Sequence, residues 1–128
     1  MKRAWLLICL SFSTLAARAT VDNSQAVTAI VGEAAGESYS VKLAVAAAIR
    51  NRNSLRGVYG LNAAHNASEP AWVWRDARRA WTESAMTDPT HGANHFGNAD
   101  DVRKGTFEGM KLTLVLGSGR TATYFFKA

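Results

Sequence analysis

The sequence predicts an α+β domain, predominantly helical, with a small C-terminal β-hairpin. Three observations carry this prediction. Apolar residues recur at the helical period through the first half of the chain. The last forty residues change to short runs rich in β-branched and aromatic side chains. No internal repeat, low-complexity tract or Pro/Ser linker divides the chain after Thr20, so helices first and strands later in 128 residues describe one unit.

The first nineteen residues stand apart from that unit. Lys2 and Arg3 give a positive start, Trp5 to Leu10 form an apolar centre, and Ala17-Arg18-Ala19 has the small-x-small pattern of a cleavage site. This predicts a secretory signal (1–19) cleaved after Ala19, followed by a single domain over 20–128. The apolar run is broken by Ser11, Ser13 and Thr14 and falls short of the roughly 20 residues a bilayer span needs. The expected protein is therefore exported, to the periplasm, the cell envelope or the extracellular space, without a stable membrane anchor after signal cleavage.

Asn23 or Ser24 is the expected cap of a first helix through Val27, Ile30 and Val31, which should end where Gly32 enters the glycine-bracketed turn Gly32-Glu33-Ala34-Ala35-Gly36-Glu37. Ser40 offers the cap of a second helix, with Val41, Ala44, Val45, Ala48 and Ile49 on one face. The segment 53–66, with Gly57 and Gly60, is expected as irregular loop. Ser68 and Pro70 start a third helix running to about Met86, with Trp74, Ala77, Trp81 and Ala85 inward, and Asp88-Pro89 stops it. Strands are expected at His95-Phe96, Leu112 to Leu116 and Thr121 to Phe126, the last two joined by a three-residue loop at Gly117-Ser118-Gly119.

Fifteen Lys and Arg against ten Asp and Glu suggest a polyanionic partner, but Lys2, Arg3 and Arg18 leave with the signal. Twelve basic and ten acidic residues remain, with no Lys/Arg run interleaved with aromatics, so no nucleic-acid partner is expected. Arg50, Arg52 and Arg56, and Arg75, Arg78 and Arg79, are expected as solvated helix faces. Cys9 is the lone cysteine, which excludes a disulfide framework and a Cys-rich metal site. His91 and His95 are four apart, a ligand spacing only on a helix, and Gly92 opposes one. The chain has no HExxH and no G-x-S-x-G, so neither a zinc peptidase nor a serine hydrolase is expected, and His65 is expected as a surface histidine.

Glu33 and Glu37 are the most informative pair. A half-buried glutamate in a turn can stay protonated and act as a general acid. Both could equally serve the dipole of the helix that follows. The polar segment Asp88 to Asn98, DPTHGANHFGN, is the second cluster, and Trp72, off the stripe of Trp74 and Trp81, is the expected wall of a sugar cleft.

Together these clusters resemble the SleB-type cell-wall hydrolases, the family of spore-cortex-lytic enzymes and their bacterial and phage relatives. Ile30 to Asn51 resembles the family's Gly-Glu-Ala-Arg-Gly-Glu turn and the helix after it. Ala77 to Asn98 resembles the segment ending Asp-Pro-Thr-Gly-Gly-Ala-Thr-His-Phe-Tyr-Asn, and Leu116 to Lys127 resembles the closing strand. Ala35 stands where the family has arginine, Gly97 where it has tyrosine, and 53–71 aligns with nothing.

The resemblance implies a lysozyme-like fold and cleavage of the β-1,4 bond between N-acetylmuramic acid and N-acetylglucosamine in peptidoglycan. Glu33 aligns with the catalytic acid. Glu37, Asn94, His95, Asn98 and Trp72 are the expected substrate-binding residues. No metal or cofactor is implied. A lytic transglycosylase needs one glutamate, which protonates the leaving oxygen and then takes the proton of the muramic acid 6-hydroxyl, giving a 1,6-anhydro end. The expectation is thus a monomer working on glycan strands. The alternatives are a hydrolytic muramidase, which would want a second carboxylate, and a non-catalytic glycan-binding or virion-associated module.

Overall fold

A computed structural model describes residues 21–128, so the expected signal segment lies outside the described residues. Asp22, rather than Asn23 or Ser24, caps the first helix: its side chain accepts from the Gln25 N–H at 3.0 Å. The helix, α1 (Asn23–Ala34), does not stop at Gly32. It runs through Gly32 and Glu33, and Glu33 therefore stands on its last turn. Gly32 is needed because another backbone lies against it: a Cβ at Gly32 would sit 1.8 Å from the Gly60 carbonyl oxygen.

The second helix, α2 (Tyr39–Arg52), starts two residues earlier than expected, with Ser38 Oγ accepting from the Val41 N–H, and ends at Asn53 in the left-handed conformation (φ 53°). Lys42, 1% exposed, turns back under the α1–α2 connection. Its Nζ donates to the carbonyls of Ala35 (3.2 Å) and Glu37 (2.5 Å), satisfying acceptors that the end of α1 leaves open. Burial pulls its pKa below the usual lysine range, against the opposing pull of Asp76, Glu37 and Glu69.

The segment expected as loop is two 3-10 helices, Tyr59–Asn62 and Ala64–Ser68, both packed against α1. The third helix, α3 (Ala71–Glu83), begins after Pro70 and buries Val73, Ala77, Ala80 and Trp81. It ends before Met86, Trp74 is half-buried, and Ala85 is exposed, so the inward stripe is displaced from the one the sequence suggests. α1, α2 and α3 pack mutually around Ala26, Ala29, Ile30, Ala44, Val45, Ala48 and Ile49. The many alanines let the helices approach closely, which suits a small core.

Asn51 joins this helical layer to the second half of the chain. Its Nδ2 donates to Asp88 Oδ2 (3.0 Å) and to the Ala93 carbonyl (2.9 Å). Asp88 also accepts from the Thr90 hydroxyl and from the N–H groups of Thr90 and Gly92. Burial opposes its charge, but these donors outweigh it and hold the carboxyl below its usual range.

The sheet has three antiparallel strands rather than a hairpin alone: β1 (His95–Asn98), β2 (Lys111–Leu116) and β3 (Thr123–Lys127), in the order β1-β3-β2. β3 is central, pairing His95 with Phe126 and Asn98 with Thr123 on one side and Leu116 with Thr123 on the other. Its Phe125 is fully buried, and Phe126 stacks on Phe107 with centroids 4.4 Å apart. The β2–β3 connection, 117–122, is longer than three residues because it holds a 3-10 turn, Gly119–Thr121. A short helix unseen in the sequence, α4 (Ala99–Arg103), follows β1 under a capping box of Asn98 and Asp101.

The two glycines of the expected turn should respond oppositely to substitution. Gly32→Ala forces a methyl into the Gly60 carbonyl and is expected to cost about 2–3 kcal/mol. Gly36, with nothing within 4 Å of its Cβ position and no positive φ, should tolerate alanine unchanged or gain up to about 1 kcal/mol. Urea denaturation of the two variants checks this, and equal costs would contradict it.

Candidate active site

The end of α1, the β1 strand, α4 and the β2–β3 connection enclose a cavity of about 480 Å³. Glu33 and His95 line it, as do Arg52, Tyr59, Asp101 and Arg120. Glu37 and Asn98 also reach it, so four of the six site residues expected from sequence come together here.

Glu33 is held by the glycine contact that shapes α1. With Gly32 and Gly60 backbone to backbone, the Gly60 N–H reaches Glu33 Oε1 at 2.7 Å. A Cβ at Gly60 would lie 2.6 Å from Glu33 Cγ, so glycine is required on both sides. Two side chains of the second 3-10 helix fix the arrangement from behind. Asn66 Nδ2 donates to the Gly60 carbonyl (2.8 Å), and His65 Nε2 contacts the Gly32 carbonyl (3.1 Å) while its Nδ1 contacts Glu69 (2.9 Å). His65 lies at the surface, as expected, and from there also braces the helix that carries Glu33.

The Glu33 side chain is open to solvent through the cavity mouth, yet protein surrounds it on its other sides. Desolvation there raises its pKa above the usual glutamate range; the Gly60 hydrogen bond opposes the rise and the charge of Asp101 adds to it. A carboxyl whose protonated form is favoured in this way, beside a cavity, is placed to donate a proton to a bound group.

His95 stands in β1 with its pKa lowered by burial and by the nearby Arg52 charge. Asn94 Oδ1 accepts from the Ala128 N–H at 2.9 Å, which identifies it as oxygen, so His95 Nδ1, 2.9 Å away, is the protonated nitrogen. The neutral ring is left with Nε2 as an acceptor for a hydroxyl. Asn94 therefore orients His95 and does not itself line the cavity. Asn98 Oδ1 is occupied by the Asp101 N–H (2.9 Å), a capping duty at the rim. Trp72 lies outside the cavity, near Lys42, whose Nζ is 5.7 Å from its ring centroid.

Several cavity residues escaped the sequence. Tyr59, 86% exposed, is an aromatic that borders the cavity, beside Phe96 and Phe107, where Trp72 was expected; its only sequence signal is an aromatic beside Gly60 in an unalignable segment. Arg52, expected on a solvated helix face, is half-buried in the cavity wall. Gly97 has its reason here too: Phe107 Cζ would lie 2.6 Å from a Cβ at that position, so the ring occupies the space a side chain would need.

Two other depressions, of about 550 and 570 Å³, surround Arg50 and Trp81. Their polar groups are already engaged: Arg50 Nε donates to Ser84 Oγ (2.7 Å) and Trp81 Nε1 to Asn23 Oδ1 (2.8 Å). Neither holds a desolvated acid. Among the described residues, no three His, Cys, Asp or Glu side chains gather as a metal site, and no helix is long and apolar enough to cross a membrane.

No protein-family model and no curated protein matches the sequence. Solved structures share the fold. The catalytic domain of the Bacillus cereus SleB protein is 24% identical, with a TM-score of 0.57 over 84% of this chain and 92% of that one. The catalytic domain of the germination-specific lytic transglycosylase SleB from Bacillus anthracis is 24% identical, with a TM-score of 0.58 over 82% and 93%. The chain thus has the α+β, lysozyme-like architecture of the SleB catalytic domains.

Glu33 should titrate above the ordinary glutamate range in a carboxyl-resolved NMR experiment. Asp101→Asn removes a negative charge that disfavours Glu33 ionisation, so the Glu33 midpoint should move to lower pH. An unmoved or raised midpoint would contradict the placement of Asp101 opposite the acid.

Proposed function

We propose that the protein is an exported peptidoglycan-cleaving enzyme that breaks the β-1,4 bond between N-acetylmuramic acid and N-acetylglucosamine, with Glu33 as its single general acid and base. The observation that carries this reading is the Glu33 carboxyl at the wall of a cavity of about 480 Å³, held through one oxygen by the Gly60 N–H, where partial burial raises its pKa. Its likeness in fold to the SleB catalytic domains, one described as a lytic transglycosylase, supports the same reaction class.

In the proposed reaction, protonated Glu33 gives its proton to the glycosidic oxygen as the bond to the muramic acid C1 breaks. The resulting carboxylate takes the proton of the muramic acid 6-hydroxyl, whose oxygen closes on C1. The products are a free 4-hydroxyl on N-acetylglucosamine and a 1,6-anhydro end, and no water is consumed. Neutral His95 accepts a sugar hydroxyl at Nε2, and Tyr59 offers an aromatic face to a pyranose ring. Glu37 and Asn98 contribute polar rim contacts, while Asn94 acts through His95. The working form is a monomer of residues 20–128, released by cleavage after Ala19.

Hydrolysis is a second reading, favoured by the presence of Asp101 in the same cavity. Asp101 Oδ2 already accepts from the Asn98 N–H at 3.0 Å, which disfavours it as the base that activates water.

Purified protein incubated with peptidoglycan sacculi should release muropeptides with 1,6-anhydro ends, read by mass spectrometry. Reducing ends carrying added water would favour hydrolysis, and no soluble fragments would reject the enzyme. Glu33→Gln, which keeps the size and the acceptor oxygen, should cut turnover by a factor of about 10²–10⁴.

A further inference from the structure

We propose that Arg52 and Arg120 form a carboxylate-recognition arm in this cavity and read the acidic group that the muramic acid side of the glycan carries. The inference rests on the glycan-cleaving reading above and names what the same site selects.

The charges lining the cavity are unequally satisfied. Glu33 accepts from the Gly60 N–H and Asp101 from the Asn98 N–H. Among the described residues, neither the Arg52 nor the Arg120 guanidinium makes an ion pair or donates a side-chain hydrogen bond, although three carboxylates share the cavity with them. A guanidinium cannot shed its charge, and its planar fork of donors fits a carboxylate in bidentate fashion. Two such forks with no protein acceptor, in a concave wall, are arranged for an anion from outside.

Their positions come from separate elements. Arg52 is the last residue of α2, half-buried, and its charge acts across the cavity on His95. Arg120 is exposed on the 3-10 turn between β2 and β3, preceded by Gly117 (φ 84°) and Gly119 (φ 60°), and the turn packs against α4. That turn is the part of the β2–β3 connection that exceeds a tight hairpin. N-acetylmuramic acid differs from N-acetylglucosamine by a lactyl ether ending in a carboxyl, which in the wall is extended by a peptide with carboxylates of its own. Arginines beside the acid would distinguish such a strand from an uncharged glucosamine polymer.

The test uses three glycan strands: peptide-stripped strands with free lactyl carboxylates, strands with intact stem peptides, and strands whose carboxyls are converted to methylamides. At least one carboxylate-bearing strand should be cut with a kcat/KM about tenfold or more above the methylamide strand. Which one it is identifies the lactyl group or the peptide as the source. Arg120→Gln and Arg52→Gln should drive that ratio towards one, and Arg120→Lys, which keeps the charge but not the fork, should retain part of it. Equal rates on charged and blocked strands with the wild type, or a ratio that survives in both Gln variants, would overturn the proposal. Binding of the same strands by calorimetry gives the ratio without turnover. Failure to cleave any strand would therefore count against the enzymatic reading, while the binding ratio still decides the arm.

Discussion

Gly32, inside α1, and Gly60, in the first 3-10 helix, meet backbone to backbone, and the placement of Glu33 depends on that contact. A methyl group on either residue would fall within 3 Å of the other's surroundings. Because the two backbone segments touch, the Gly60 N–H reaches Glu33 Oε1, and Glu33 is pinned on the last turn of a helix rather than in a loop. Placing a reactive side chain on such an element fixes its position better than a turn could. Asn66 and His65 then hold the contact from the outer side, so a segment with little regular structure becomes part of the acid's support.

Around that acid the charges are sorted by role. Asp101 and desolvation favour the protonated form of Glu33, while Arg52 favours the neutral form of His95. The cavity therefore biases its carboxyl towards the protonated form and its imidazole towards the neutral form, a combination suited to handling a glycosidic oxygen and a sugar hydroxyl. The second half of the chain is tied to the helices by Asn51, which clasps both Asp88 and the Ala93 carbonyl. That clasp sets where β1 begins, and with it where His95 stands.

The three long helices and the strands were legible in the sequence because each carries its own local signal: the Val41-Ala44-Val45-Ala48-Ile49 stripe and the apolar Leu112 to Leu116 run require no partner to be recognised, whereas α4 and the two 3-10 helices after α2 carry none. Glu33 and His95 were legible through the resemblance. Gly32 was misread as a helix stop because the reason for it is Gly60, 28 residues away, and local propensity carries no trace of a long-range backbone contact. The same holds for Tyr59, Arg52 and Asp101, whose neighbours are assembled only by the fold. Asn98 shows the opposite limit: its polar side chain in a functional-looking cluster also caps α4, a duty its identity alone does not reveal.

A crystal structure of the Glu33→Gln variant with a bound peptidoglycan tetrasaccharide tests the central claim most directly. The scissile oxygen is expected within hydrogen-bonding reach, about 3 Å, of the side chain at position 33, with the strand crossing the cavity between α1 and β1. A strand seated instead over Trp74 and Trp81, or one whose linkages all lie beyond reach of position 33, would contradict it.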